Sequence, residues 1–178
     1  LVTLLGPPGV GKSALARAFA FADERAANGG VVLIDLSAAR NDQEARDLVG
    51  RTLGLLATDE ETFAAGWAAH LASCPSTRWV LIDGGDAALR TASCMMQVVL
   101  SSSPEYSDVK MLFTARTTLG LEEERCLTVG PLDTKPCAPG LSPAAELLVS
   151  RSSVWTAPEV STDDDRAALE GLAKRTDG

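Results

Sequence analysis

Glycines, a lysine and a serine near the N-terminus are spaced as phosphate binding requires. The segment comprises Gly6, Pro7, Pro8, Gly9, Val10, Gly11, Lys12 and Ser13, followed by Ala14. The glycines permit a tight loop with inward-pointing N–H groups, the lysine reaches β and γ phosphates, and the serine hydroxyl ligates Mg²⁺. This full Walker A pattern predicts a P-loop that binds a nucleoside triphosphate at residues 6–14. A glycine turn that merely starts a helix would not need Lys12 and Ser13 together.

A second candidate for the metal site is the aspartate that ends the apolar run Val80-Leu81-Ile82-Asp83. In P-loop proteins an acid at the end of a buried strand holds Mg²⁺ through its carboxylate or a water. We therefore predict that Asp83 and Ser13 serve the metal together. The alternative is that Asp83 caps a helix.

The residues after Asp83 bear on hydrolysis. Many hydrolytic P-loop enzymes place a second carboxylate at the next position, where this chain has Gly84, and Asp86 is the nearest substitute. Two interpretations stay open. Either Asp86 reaches a water and supports slow hydrolysis, or it caps the helix near Ala87 and the domain binds nucleotide with scarcely any turnover.

Arg116 is a candidate for contact with the nucleotide. It belongs to the triplet Thr114-Ala115-Arg116 at the end of another apolar strand. The carboxyl ends of parallel strands face the ligand crevice, so Arg116 is placed to touch the γ phosphate through charge-assisted hydrogen bonds. The alternative is a solvated charge at a strand end. The candidate catalytic residues are thus Lys12, Asp83, Asp86 and Arg116.

Three further acidic signals favour simpler interpretations. The run 163–165 is expected to stabilise a helix N-terminus through the helix dipole, and the run 122–124 is expected to be a solvated loop. Asp35 ends a strand as a ribose-binding acid does in dinucleotide folds, but the glycine pattern is that of a P-loop. Ribose recognition by Asp35 is therefore disfavoured.

Alternating strands and helices must position these residues. Short apolar runs predict strands at 1–5, 31–36, 79–82, 109–114 and 126–129. Helical periodicity predicts helices from Ser13 to the glycines at 29–30 and at 43–53, 60–73, 87–100, 143–152 and 163–176. The pattern predicts a three-layer α/β fold with a parallel sheet flanked by helices. We divide the chain into a P-loop domain, 1–132, and a linker with the beginning of a helical subdomain, 133–178.

Composition narrows the function further. The 178 residues carry a net charge of -8, which disfavours direct binding to nucleic acid or to anionic membranes. Neither a signal peptide nor a membrane span is apparent, so a cytoplasmic protein is expected. The scattered cysteines and single histidine favour neither a zinc site nor a disulfide framework. Both ends of the sequence look cut, and we expect a segment of a longer polypeptide.

The combined motifs resemble the signal-transduction ATPases with numerous domains (STAND), and within them the AP-ATPase or NB-ARC-like modules of multidomain bacterial regulators. The likeness rests on VTLLGPPGVGKS (2–13), VLIDL (32–36), VLIDGGD (80–86), LFTARTTLGL (112–121) and VGPL (129–132). The resemblance implies that Arg116 reads the γ phosphate and that Asp83 holds Mg²⁺. Asp86 matches an acid often found three places after that aspartate.

The resemblance also implies an ATP/ADP switch, in which ADP closes the module and ATP opens it. Its implied partners are the nucleotide, other domains of the same longer chain and further copies in a nucleotide-dependent homo-oligomer. Gly84-Gly85 is less polar than is usual in the family, and the segments that contact adenine fall outside the sequence. A nucleotide-stabilised scaffold without turnover and a P-loop phosphotransferase are the alternative functions.

Overall fold

The computed structural model describes residues 1–22, 30–55, 59–74, 76–77, 79–101, 109–136, 140–151 and 162–176. It divides into two compact units, Leu1–Val129 and Gly130–Gly178. The division of the chain into two domains after Leu132, which the sequence indicates, remains a prediction. Residues 28–30 were predicted to end the first helix, and of these, residues 28 and 29 lie outside the described residues.

The first unit contains five parallel strands in the order β2-β3-β4-β1-β5. Their bounds are β1 Val2–Leu5, β2 Val31–Asp35, β3 Trp79–Asp83, β4 Lys110–Ala115 and β5 Arg125–Thr128. The helices are α1 Lys12–Ala22, α2 Asp42–Leu53, α3 Glu60–Ser73 and α4 Leu89–Ser101, with a 3₁₀ turn at Gly85–Ala87. The α/β fold class predicted from the sequence is confirmed.

Helices pack against both faces of this sheet, which explains its continuous apolar strands. Every residue of β3 is buried, as expected for a strand covered on two sides. On one face, Leu4 and Leu81 pack against Ala16 and Ala20 of α1. On the other, Ile82 and neighbouring apolar residues pack against α2, α3 and α4. The sheet and the helices on each of its faces therefore form three layers, with an apolar core between each pair of layers.

The chain reverses direction across the sheet at the edge strand β2. From β1 it passes through α1 to the far edge at β2, then returns through β3 to β4. Because parallel crossovers are right-handed, this reversal places α1 on one face and α2 to α4 on the other. It also makes the end of β1 a point at which neighbouring connections diverge, and ligands bind in such crevices.

The helix predicted at 87–100 differs at its beginning. The structure has the 3₁₀ turn Gly85–Ala87 first, and α4 starts at Leu89. The turn begins after Gly84, which has a left-handed φ of 72°. Ala88, with a φ of -137° and a ψ of 43°, lies between this turn and α4 and is not helical, so the helix predicted from apolar periodicity began two residues too early.

The second unit contains two helices, α5 Pro143–Arg151 and α6 Asp163–Arg175, that pack through a small apolar cluster. Thr162 caps α6 by accepting a hydrogen bond from the N–H of Asp165. The acidic run 163–165 therefore lies in the first helical turn, where the dipole favours negative charge.

None of the helices in the described residues has the length and apolar character needed to cross a membrane.

Candidate functional site

Residues 6–14 form a loop and the first turn of α1 directly after β1. Gly9 and Gly11 have left-handed φ values of 83° and 93°, which residues with a Cβ rarely adopt. Gly6 is needed for a different reason, because a Cβ there would lie 2.5 Å from the carbonyl oxygen of Val129. The first turn of α1 carries no acidic residue. The loop therefore leads into a helix N-terminus that favours an anion.

The Lys12 side chain folds back over this loop. Its ammonium group donates hydrogen bonds to the carbonyl oxygens of Gly6 at 2.8 Å and Pro7 at 2.9 Å. The cation is thereby held beside the loop rather than extended into solvent. Phosphate oxygens entering the loop would meet a positive charge that is already in place.

Asp83 connects the phosphate loop to the centre of the sheet. The residue is only 3% exposed, and its Oδ1 accepts hydrogen bonds from the hydroxyls of Ser13 at 2.6 Å and Thr114 at 2.5 Å. Its Oδ2 lies 3.1 Å from Nη2 of Arg17. A buried carboxylate needs such partners to offset the cost of losing water. Two of the predicted site residues, Ser13 and Asp83, are thus in direct contact.

Thr114 is a functional candidate whose own contribution the sequence reasoning missed. Its buried hydroxyl donates to Asp83 and accepts the N–H of Gly84 at 3.0 Å. It therefore links the end of β4 to the end of β3. The sequence predicted that both strands end on the same side of the sheet, and this was the signal that could have indicated a contact between Thr114 and Asp83.

Arg17 and Asp35 extend the charge network, and neither role was foreseen. Arg17 follows Ser13 by one helical turn, and its Nη2 lies 3.3 Å from Oδ2 of Asp35. Asp35 is opposite Asp83 in the register of β2 and β3. The Ser37 hydroxyl, which donates to Asp35, is the main cause that holds the pKa of this carboxyl below its usual value. Helical spacing from Ser13 could have indicated Arg17.

Asp86 contacts Arg116, the predicted phosphate sensor. The N–H of Arg116 donates to Oδ1 of Asp86 at 2.5 Å, and Nε of Arg116 lies 3.5 Å from Oδ2. The Arg116 side chain is 60% exposed, so this ion pair contributes little to stability. Asp86 therefore accepts a hydrogen bond from the backbone directly after β4. Neither interpretation of the sequence included this role.

Glu124 anchors the loop that follows Arg116, although the run 122–124 was expected to be solvated. Its carboxylate accepts hydrogen bonds from the Thr3 hydroxyl at 2.5 Å and from the N–H groups of Leu119 and Gly120, both at 2.9 Å. Burial alone would raise the pKa of Glu124, but these hydrogen bonds outweigh it, so the pKa is lowered. For this residue the expectation of a solvated side chain was wrong.

Backbone geometry explains why glycines follow Asp83. Gly84 has a φ of 72°, and a Cβ there would lie 2.8 Å from Cβ and 2.9 Å from Cα of Ser37. A Cβ at Gly85 would lie 2.5 Å from Cε2 of Phe113. The carboxylate common after the metal-binding aspartate in hydrolytic relatives of the P-loop class therefore does not fit this backbone.

The donor groups suit Mg²⁺ rather than a softer metal. Ser13 and Asp83 offer hydroxyl and carboxylate oxygens, and Mg²⁺ typically takes one or two protein ligands and fills its octahedron with water and phosphate oxygens. Among the described residues, no group of three or more His, Cys, Asp or Glu side chains is placed to hold a metal. Ser13 and Asp83 would therefore fit a metal that is shared with phosphates.

An apolar cavity of about 550 Å³ lies elsewhere, on the α1 face of the sheet. Its lining includes Leu15, Phe19, Trp79 and Leu127 and none of the predicted site residues. Trp79 is the first residue of β3 and Asp83 is the last, so the cavity lies near the N-terminal end of the strand, away from Asp83. We place the functional site by its polar groups and not by this cavity.

The sheet, the flanking helices and the loop between β1 and α1 define an α/β fold of the P-loop NTPase type. The structure is similar to that of Cdc6p from Pyrobaculum aerophilum, with a TM-score of 0.66 and 17% sequence identity. The similarity covers 97% of this chain and 47% of that one, so the chain spans about half the length of Cdc6p. At this identity the likeness concerns the fold alone. No family model and no curated protein sequence matches the chain.

Proposed function

We propose that the chain is an ATP/ADP-binding switch module of the STAND class, similar to NB-ARC domains, with slow or regulated ATP hydrolysis. The observation that carries the proposal is the hydrogen-bonded chain from Ser13 through Asp83 to Thr114. It joins the loop that would hold the phosphates to β4, the strand that ends directly before Arg116. These hydrogen bonds would allow nucleotide binding at the loop to shift the end of β4.

The phosphate loop supplies the binding energy in this proposal. Lys12 would exchange its two carbonyl partners for the β and γ phosphate oxygens, and the N-terminus of α1 would add its partial positive charge. Mg²⁺ would lie between the phosphates and the oxygens of Ser13 and Asp83. ADP should use the contacts to the β phosphate, and ATP should add those to the γ phosphate.

Arg116 provides the difference between the two nucleotides. A switch requires that each state bind ATP and ADP with different affinity. The exposed contact of Arg116 with Asp86 spans 3.5 Å at its side chain, and such pairs are easily exchanged. A γ phosphate would offer the guanidinium stronger, bidentate partners. ADP lacks that phosphate and would leave Arg116 with Asp86.

The partners that we propose follow from the class and not from a contact in the structure. They are the nucleotide, other domains of a longer chain and, in the ATP state, further copies of the same module. We propose neither a nucleic acid nor a membrane as a direct partner of this segment. The division after Leu132 and a cytoplasmic location belong to the same proposal.

A second candidate is a nucleotide-stabilised scaffold without turnover. Gly84 and Gly85 leave no space for a second carboxylate, and Asp86 is hydrogen-bonded to Arg116. These observations favour a domain that binds nucleotide without hydrolysing it. Phosphate release separates the two candidates, since a scaffold should release none above the background without protein.

The test is calorimetry of ADP and ATP binding with Mg²⁺, combined with a phosphate-release assay. Lys12→Ala should abolish binding of both nucleotides. Arg116→Ala should weaken ATP about tenfold and leave ADP within about twofold, because only ATP offers the γ phosphate. Arg51→Ala, which removes an exposed arginine in the last turn of α2, is the matched control.

Each outcome has a definite meaning. An unchanged ratio of ATP to ADP affinity in Arg116→Ala would remove the sensor role and leave a generic P-loop domain. Failure of the wild-type chain to bind either nucleotide under these conditions would contradict the proposed function.

A further inference from the structure

Arg17 is a cation built into the proposed metal site. Its Nη2 lies 3.1 Å from Oδ2 of Asp83 and 3.3 Å from Oδ2 of Asp35. It stands one helical turn after Ser13 on α1, so both side chains lie on the same face of the helix. One guanidinium nitrogen is thus shared between two carboxylates at the ends of neighbouring strands.

The two oxygens of Asp83 have different partners. Oδ1 accepts the hydroxyls of Ser13 and Thr114, whereas Oδ2 contacts Arg17. A divalent cation beside Ser13 would be attracted by the same carboxylate that Arg17 already neutralises. Two cations competing for one buried negative charge weaken each other's binding.

We propose that Arg17 sets the affinity of the site for divalent metal by competing for Asp83, and that Asp35 receives the guanidinium when the metal binds. This inference rests on the proposed nucleotide function. Arg17 is then a positioning residue, since it acts on the metal through Asp83. Asp35 completes the device as the alternative partner.

The geometry makes this exchange small. Nη2 already lies within ion-pair distance of both acids, so no rotation of the helix is needed to move it toward Asp35. The Asp35 carboxylate is held in place by the N–H of Ser37 at 3.0 Å and by its hydroxyl. Arg17 and Asp35 are both about half exposed, so water can replace a lost contact at little cost.

The test is the dissociation constant of Mn²⁺ in the protein–ADP complex, measured by the electron paramagnetic resonance signal of free Mn²⁺. Arg17→Met keeps an unbranched aliphatic stem and the helix propensity but removes the charge. It should lower the Mn²⁺ Kd by roughly tenfold, because one competing positive charge is lost from a half-exposed site. Metal-free ADP affinity should stay within about twofold.

A double-mutant cycle tests the part assigned to Asp35. Asp35→Asn alone should raise the Mn²⁺ Kd several-fold, since Arg17 then has only Asp83. The same change in the Arg17→Met background should have little effect if Asp35 acts through Arg17. Equal effects in both backgrounds would overturn that role and show a direct charge effect of Asp35 on the metal.

Arg51→Met is the control for the loss of one arginine charge and should leave the Mn²⁺ Kd unchanged. Should Arg17→Met fail to fold, Arg17→Gln makes the same test. A Kd that is unchanged or higher in the folded variant, with normal ADP binding, would overturn this inference alone. Absence of ADP binding in the wild-type chain would overturn the proposed function and this inference with it.

Discussion

Replacing Thr114 by valine removes one hydroxyl from the centre of the site while keeping the shape of the side chain. Thr114 is 1% exposed. Its hydroxyl donates to the Asp83 carboxylate at 2.5 Å and accepts the Gly84 N–H at 3.0 Å. Valine can make neither bond, and the buried surroundings offer little water as a substitute.

The expected cost follows from these two bonds. A hydrogen bond to a charged group contributes about 1.5–3 kcal/mol, and a buried N–H left without its partner costs about 1–3 kcal/mol. Because both bonds belong to one network, their losses are not additive. We expect the free energy of unfolding to fall by about 2–4 kcal/mol. With a urea m-value of about 2 kcal/mol/M, the midpoint should fall by roughly 1–2 M.

Urea denaturation followed by tryptophan fluorescence measures this change. Trp67 and Trp79 are both buried in the first unit and report on its unfolding. Thr114→Ser keeps the hydroxyl and loses a methyl group, so it should cost only about 1 kcal/mol. The reasoning is refuted if valine costs less than about 0.5 kcal/mol, or if serine is more destabilising than valine.

Two further predictions concern neighbouring loops. Gly84→Glu should lower the free energy of unfolding by about 2 kcal/mol or more and should not increase phosphate release, because a Cβ there meets Ser37 at a left-handed φ; Gly66→Ala, where a Cβ fits, is the control, and enhanced phosphate release by a stable Gly84→Glu protein would contradict the prediction. Because the pKa of Glu124 is lowered in the folded state, its contribution to stability should be present above the unfolded-state pKa and lost as pH falls through the folded-state pKa. Urea midpoints from pH 7 to pH 3 should therefore fall less steeply for Glu124→Gln than for wild type, and parallel pH profiles would disprove the role of Glu124.

The elements of the first unit could be predicted because their patterns are local. Strand β3 is apolar along its whole length, as a strand buried on both faces must be. The spacing of the Walker A residues placed the loop between β1 and α1, where the structure has it. The start of α4 was misplaced because Ala88, whose residue type suits a helix, has non-helical backbone angles between the 3₁₀ turn and α4.

The partners of the charged side chains could not be predicted in the same way. Asp86 was expected to reach a water or cap a helix, but its carboxylate meets Arg116, thirty positions away. Glu124 was expected in solvent, but it binds Thr3 across 121 positions. Such contacts depend on strand order, and alternating apolar runs specify strands without specifying which of them are neighbours.

The amino-acid sequence by itself determined the α/β class and the place of the glycine-rich loop, and it predicted the residues that would meet a phosphate and Mg²⁺, because these depend on composition and spacing along the chain. Only the tertiary structure decided that Arg17 is shared between Asp35 and Asp83, that Thr114 joins two strand ends and that no carboxylate fits at Gly84. The physical reason is that hydrogen bonds and steric contacts act over a few ångström in space, and the packing of the parallel strands brings together residues that are remote in the chain.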